Sequence, residues 1–100
     1  MIEVKNKEDK YYQFVVKSAT GKILLESVEF ADSQSLENAL NELKDTNLPI
    51  KRFERKTNFE GKFLFHLKNG QGTVVGNSGL YNSEAGMENG IKNLKNILIQ

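Results

Sequence analysis

Few residues of this chain have the types and spacing that chemistry needs. His66 is the only histidine, and there is no cysteine. A metal ion would need further nitrogen, thiolate or carboxylate ligands beside His66, and none stands at strand or helix spacing from it. His66 therefore reads as a half-exposed structural side chain on the strand face it shares with Leu64 and Lys68. The serines Ser18, Ser27, Ser33, Ser35, Ser78 and Ser83 fall in turns and caps, and no nucleophile-elbow pattern surrounds any of them. Asn69-Gly70-Gln71-Gly72-Thr73 is glycine-rich, but it lacks the Gly-Lys-Ser/Thr ending of a phosphate loop and joins two strands. It reads as a hairpin turn. Paired carboxylates for acid–base work would have to converge from loops, which linear spacing does not define. On this basis no catalytic, cofactor-binding or metal-binding residue is assigned, and the expectation is a protein that is not an enzyme.

The most pointed stretch is Lys51-Arg52-Phe53-Glu54-Arg55-Lys56, continued by Lys62, His66 and Lys68. Over residues 51–68, six basic groups stand against Glu54 and Glu60. On a strand, Arg52 and Lys56 share one face while Phe53 and Arg55 share the other. A sheet face carrying Arg, Lys and aromatic rings can hold single-stranded nucleic acid, with bases stacked on rings and cations on phosphates. The candidate contacts are Arg52, Arg55, Lys56, Lys62 and Lys68. The competing reading is a solvated face, or an edge strand protected from aggregation by charge.

The elements that must position these residues follow from periodicity and punctuation. Ile2 to Lys5 alternates as a short strand, and Lys7-Glu8-Asp9-Lys10 is a charged turn. Tyr12 to Lys17 is a strand with Tyr12, Phe14 and Val16 on one face. Ser18-Ala19-Thr20-Gly21 reverses the chain, and Lys22 to Val28 returns, with Ile23 and Leu25 expected on one face. Glu29 to Ala31 is extended. Asp32 or Ser33 caps a helix whose stripe is Leu36, Ala39, Leu40 and Leu43, and Thr46-Asn47-Leu48-Pro49 ends it. Ile50 to Thr57, Phe63 to Lys68 and Thr73 to Ser78 are the next strands, with turns at Asn58–Gly61 and Asn69–Gly72. Gly76 and Gly79 suggest a bulge or a close backbone approach. Asn82 or Ser83 caps a final helix with Met87, Ile91 and Leu94 buried. Gly90 inside that helix costs about 1 kcal/mol relative to alanine, and close packing is the expected compensation.

The second plan repeats the first. At an offset of 51 residues, without gaps, Phe14 falls on Phe65, Lys17 on Lys68, Gly21 on Gly72 and Ser27 on Ser78. Glu37-Asn38 falls on Glu88-Asn89, and Leu43-Lys44 on Leu94-Lys95. Conservative pairs include Tyr12 with Phe63, Phe30 with Tyr81 and Leu36 with Met87. Residues 1–51 and 52–100 thus read as two copies of one unit. Each ββ(β)α unit has one apolar helix stripe and one apolar hairpin face, so neither closes a core alone. The expected fold is α+β: one antiparallel sheet with both helices on one face, a single domain over residues 1–100. Ser27 and Ser78, recurring at equivalent places, are expected to make the same structural hydrogen bond.

Phe63-Leu64-Phe65, Leu67-Lys68, Gly72, Ser78, Tyr81, Ser83 and Glu88-Asn89-Gly90-Ile91 with Leu94-Lys95 resemble the signature of the YegP-like family, DUF1508 or UPF0339. The first copy departs from it, with Asn38-Ala39-Leu40 for Asn-Gly-Ile and Phe30 for Tyr. Gln71 stands where the family usually has Asn. The family has no agreed biochemical function, so the resemblance implies architecture and no catalytic residues. It also implies that the strand leading out of one unit pairs within the other, so that residues 50–57 stitch the halves together and a monomer becomes plausible.

Composition excludes several classes. Net charge is +1, with 27% charged and 38% hydrophobic residues, which suits a soluble globular chain with no strong pull toward nucleic acid or membrane. The absence of cysteine excludes a disulfide framework and thiolate chemistry. The first ten residues lack the apolar core of a signal peptide, and no membrane-length apolar run follows, so the expected compartment is the cytoplasm. The leading reading is a non-enzymatic binding or interaction module with an unknown ligand. Weak single-stranded nucleic-acid contact through residues 51–68 is the alternative, an enzyme with an unrecognised pocket comes third, and a structural or self-assembling role fourth. The partner is left unknown, with a protein or single-stranded nucleic acid as the candidates and no membrane; no cofactor is expected, and a homodimer is the other oligomeric possibility.

Overall fold

Alternating apolar side chains and tight turns make hairpins, and two short helices give the apolar faces something to bury against. The computed structural model describes residues 1–44 and 52–98. In chain order the elements are β1 (Ile2–Lys7), β2 (Tyr11–Lys17), β3 (Ile23–Ser27), α1 (Ser33–Leu43), β4 (Phe53–Thr57), β5 (Phe63–Lys68), β6 (Val74–Asn77) and α2 (Glu84–Leu98). The six strands form one antiparallel sheet in the order β1-β2-β3-β6-β5-β4. The α+β architecture expected from the sequence is the one observed.

The charged turn between β1 and β2 is tight, with Glu8 and Asp9 both at positive φ (54° and 57°). That conformation matches the twist of a two-residue hairpin. Gly21 and Gly72 take φ of 87° and 84° at the turns before β3 and β6, where a Cβ would be strained. Asp32 caps α1, accepting from the Ser35 N–H at 2.7 Å. At α2 it is Ser83 that caps, its Oγ accepting from the Gly86 N–H at 3.0 Å. Asn82 instead accepts from Lys62 Nζ at 2.6 Å. The proposed end of α1 at Thr46–Pro49, together with Ile50 and Lys51, lies outside the described residues.

Two expectations are corrected. Ile23 and Leu25 do not share a face. A bulge between Val16 and Lys17 sets Leu25 opposite Val16 but Ile23 opposite Lys17, so Leu24 and Leu25 are both buried while Ile23 is exposed. An inserted residue shifts the alternation, and the pattern of single letters does not show it. Nor does β4 pair across the halves: it pairs with β5 alone, at the sheet's edge. Its turn, Asn58–Gly61, makes the local hairpin the pairing with the smaller loop-closure cost. The halves join through β3 and β6, by Glu26 opposite Asn77 and Ser27 opposite Gly76. Gly76 permits that approach, because a Cβ there would lie 2.9 Å from Leu25 Cγ. Gly79, by contrast, faces open space.

One hydrophobic cluster fills the space between helices and sheet. Phe14, Val16, Leu24, Leu25, Phe53, Phe65, Leu67 and Val75 of the sheet are buried in one cluster with Leu36 and Leu43 of α1 and Met87, Ile91, Leu94 and Leu98 of α2. Beneath it lies a matching pair of polar ties. The Phe14 N–H donates to Ser27 Oγ at 2.9 Å, and that hydroxyl donates to the Val28 carbonyl at 2.8 Å. The Phe65 N–H donates to Ser78 Oγ at 2.8 Å, and that hydroxyl donates to the Gly79 carbonyl at 2.8 Å. The serines are structural, as their recurrence suggested. No helix among the described residues is long and apolar enough to cross a membrane.

Candidate functional site

The five basic residues singled out from the sequence do not form one surface. Arg55 shares the helix side of the sheet with Phe53 and Phe65, and its guanidinium grips Glu88 of α2, with Nη2 donating to Oε1 at 2.9 Å and Nε to Oε2. Lys56 and Lys68 lie on the open face around Glu54, at 3.6 and 2.8 Å. Arg52 Nη1 meets Glu42 of α1 at 3.0 Å, and Lys62 meets Asn82. Four of the five are thus held by carboxylates, and a nucleic-acid phosphate would have to displace them. The charge run that looks basic in sequence is largely neutralised in space, because Glu42 and Glu88 arrive from the helices.

His66 sits on the open face in a row that crosses all six strands: Glu3, Val15, Glu26, Asn77, His66, Glu54. Its Nδ1 is 2.5 Å from Asn77 Oδ1. Among the described residues no group of three His, Cys, Asp or Glu side chains converges as a metal site would require.

The most developed concavity lies elsewhere, between the β2–β3 turn and α2. It encloses about 470 Å³, lined by Ser18, Ala19, Thr20, Lys22 and Leu24 on one side and by Tyr81, Gly86, Asn89, Gly90, Asn93, Asn96 and Ile97 on the other. Asn89, Asn93 and Asn96 are spaced i, i+4 and i+7, so α2 presents a stripe of carboxamides beside its apolar one. Tyr81 forms the floor. It is 6% exposed, stacks on Phe65 with ring centroids 6.5 Å apart, and lies under Lys22 Nζ, which is 4.5 Å from its ring centroid. Its hydroxyl is buried, with no hydrogen-bond partner among the described residues, and burial pushes its pKa up, so it stays a neutral donor. The ring fits because α2 has no side chain beneath it. A Cβ on Gly90 would stand 2.2 Å from the Tyr81 hydroxyl oxygen, and one on Gly86 3.8 Å from Tyr81 Cδ1. This is the close packing expected to compensate Gly90. The cleft itself was missed in the sequence, although the Asn89/Asn93/Asn96 spacing was a readable signal.

Residues 60–97 match the model of a domain of unknown function, DUF1508. A UPF0339 protein of Stutzerimonas stutzeri, described as lying in the 5′ region of a ptx operon, is 34% identical over 94% of this chain and 85% of that protein. The chain belongs to the UPF0339 family. YegP of Escherichia coli K12 is 29% identical over 93% of this UPF0339 chain and 84% of its own length. The solution NMR structure of E. coli YegP superposes with a TM-score of 0.88, covering 99% of this chain and 85% of that one. That of a Shewanella oneidensis UPF0339 protein, 26% identical, gives 0.89 over 99% and 84%. The matching model is that of a domain of unknown function.

Ion pairs also set how this UPF0339 member responds to acid. The Lys68 ammonium holds the Glu54 carboxyl below its ordinary 4.5, Lys17 does the same to Glu3, and Arg55 does so to Glu88. Lowered folded-state values mean that these groups contribute stability above pH 4.5, and that it is lost as pH falls through the folded values. Melting temperature is therefore expected to be flat from pH 7 to 5 and to fall below about 4.5. Glu54→Gln should flatten that acid limb; a variant as acid-sensitive as the parent would remove the pairing from the account.

Proposed function

We propose that this chain is a single non-catalytic binding domain, built from two copies of one unit (residues 1–51 and 52–100), and that its ligand site is the cleft between the β2–β3 turn and α2. The observation that carries the binding reading is the chemistry of that lining: an ammonium and three carboxamides around the Tyr81 ring. These are recognition groups, placed over an apolar floor in the manner of small-molecule sites. The two-copy reading is supported by contacts that recur 51 residues apart. Glu3 pairs with Lys17 at 2.7 Å and Glu54 with Lys68 at 2.8 Å. Tyr12 bridges Phe30 and Phe63 bridges Tyr81. Phe14 stacks on Phe30 as Phe65 does on Tyr81, and the bulges after Val16 and Leu67 correspond.

Amide NMR spectra titrated with a pooled extract of small metabolites, and separately with short single-stranded oligonucleotides, test the reading. Shifts confined to residues 18–24, 81 and 86–97 with the extract are expected. Salt-sensitive shifts with oligonucleotide at Arg52, Arg55, Lys56, Lys62 and Lys68 would instead establish the nucleic-acid alternative, since phosphate contacts release counterions. No change at the cleft with any small molecule would end the proposal.

A further inference from the structure

Internal correspondence within the chain points to what the cleft holds. At the places 51 residues from Ala19 and Asn93, a turn and a helix also face each other, and there the space between them is filled. Gly70, in the β5–β6 turn, corresponds to Ala19, and Glu42 of α1 corresponds to Asn93 of α2. There the Glu42 carboxylate reaches the turn: Oε1 accepts from the Gly70 N–H at 2.7 Å and from Arg52 Nη1 at 3.0 Å. One carboxylate oxygen thus takes a turn amide and a cation together, a charge-assisted pair of bonds.

In the cleft, that carboxylate is missing. Asn93 is shorter than Glu by one methylene and neutral, so it brings no anion to the Ala19 amide. Among the described residues, the Ala19 N–H meets no acceptor and Lys22 makes no ion pair. Lys22 supplies a cation at this place, as Arg52 does at the other. A turn amide, an ammonium and a carboxamide able to turn its N–H₂ inward stand together with no anion beside them, which suits a negatively charged acceptor group.

We infer that the cleft binds a carboxylate, which takes the place that the Glu42 side chain fills at the corresponding position. The inference rests on the cleft being the ligand site and adds the ligand's chemical class. Two sources carry the same group: a small free carboxylic acid, or the C-terminal carboxylate of a peptide.

The test is an amide and side-chain NH₂ titration of the whole protein with succinate, with a short peptide bearing a free C-terminus, with the same peptide amidated, and with inorganic phosphate. Saturable shifts at Ala19, Thr20, Lys22 and the Asn93 carboxamide are expected with succinate or the free-acid peptide and not with the amidated one. Whichever binds more tightly identifies the source. Lys22→Gln is expected to weaken binding at least about tenfold, the loss of one charge-assisted bond. Asn93→Glu is the sharper variant. It installs the side chain found at residue 42, and is expected to abolish binding while moving the Ala19 amide as the ligand does. Both residues are exposed, and an unchanged melting temperature for Lys22→Gln separates lost binding from lost fold. Phosphate alone binding, or undiminished succinate binding by Asn93→Glu, overturns the carboxylate. A neutral metabolite shifting these same amides overturns it too, but leaves the cleft as the ligand site. Silence of the cleft toward every probe and every metabolite removes both readings.

Discussion

Ser27→Ala is expected to lower folding stability by about 2 kcal/mol, and Ser78→Ala by only about 1 kcal/mol, in equilibrium urea denaturation. Ser27 is 2% exposed. Its hydroxyl accepts from the Phe14 N–H and donates to the Val28 carbonyl, and its own carbonyl accepts from Gln13 Nε2 at 2.7 Å. Removing the hydroxyl orphans a buried donor and an acceptor at once, and no water reaches Phe14 to replace it. Ser78 makes the same two bonds, but its bond to the Gly79 carbonyl is exposed, so water recovers part of the loss. The difference between the two variants is the informative quantity. Equal losses would mean that burial does not govern this pair, and no loss at Ser27 would place the Phe14 amide elsewhere.

Gly90→Ala is the second large effect, also about 2 kcal/mol destabilising. On an ordinary helix the same change stabilises by about 1 kcal/mol, so the sign itself reports the Tyr81 contact. The new Cβ would meet Tyr81 Oη at 2.2 Å and Cζ at 2.7 Å, and the ring is confined by Phe65 on its other side. Tyr81→Phe alone is expected to be neutral or stabilising by up to about 1 kcal/mol, because it removes a buried hydroxyl that has no partner. Combined with Gly90→Ala it should recover at least about half of the loss, a coupling of about 1 kcal/mol in a double-mutant cycle. Under the two-copy proposal the equivalent positions carry that combination, Phe30 and Ala39. Additive single effects would show that the hydroxyl does not lie over Gly90.

Much of this protein was legible from single residues and short patterns. The order of strands and helices, the positive-φ glycines at 21 and 72, the Asp32 cap and the leucine stripe of α1 all rest on local physics: steric limits on φ, orphaned helix amides and side-chain periodicity. The serine ties were legible for a different reason. Ser27 and Ser78 recur at one offset, and recurrence of a polar residue among apolar ones signals a shared partner. The sequence offered basic residues 51–68 either as a nucleic-acid face or as a solvated one, and it did not show what lies beside them. Glu42 and Glu88, which neutralise Arg52 and Arg55, come from helices placed there only by tertiary packing.

The sequence by itself determined that the chain is α+β and that its residues carry a signature resembling that of the UPF0339 family. These follow from periodicity, turn chemistry and residue identity, which act over a few neighbours at a time. Only the tertiary structure decided that β3 pairs with β6, that a bulge buries Leu24 beside Leu25, that Tyr81 lies on Gly90, and that Lys22 faces Asn93 across a cleft. Each of these depends on atoms distant in the chain meeting within a few ångströms, and neither the spacing of letters nor their hydrophobicity encodes that distance.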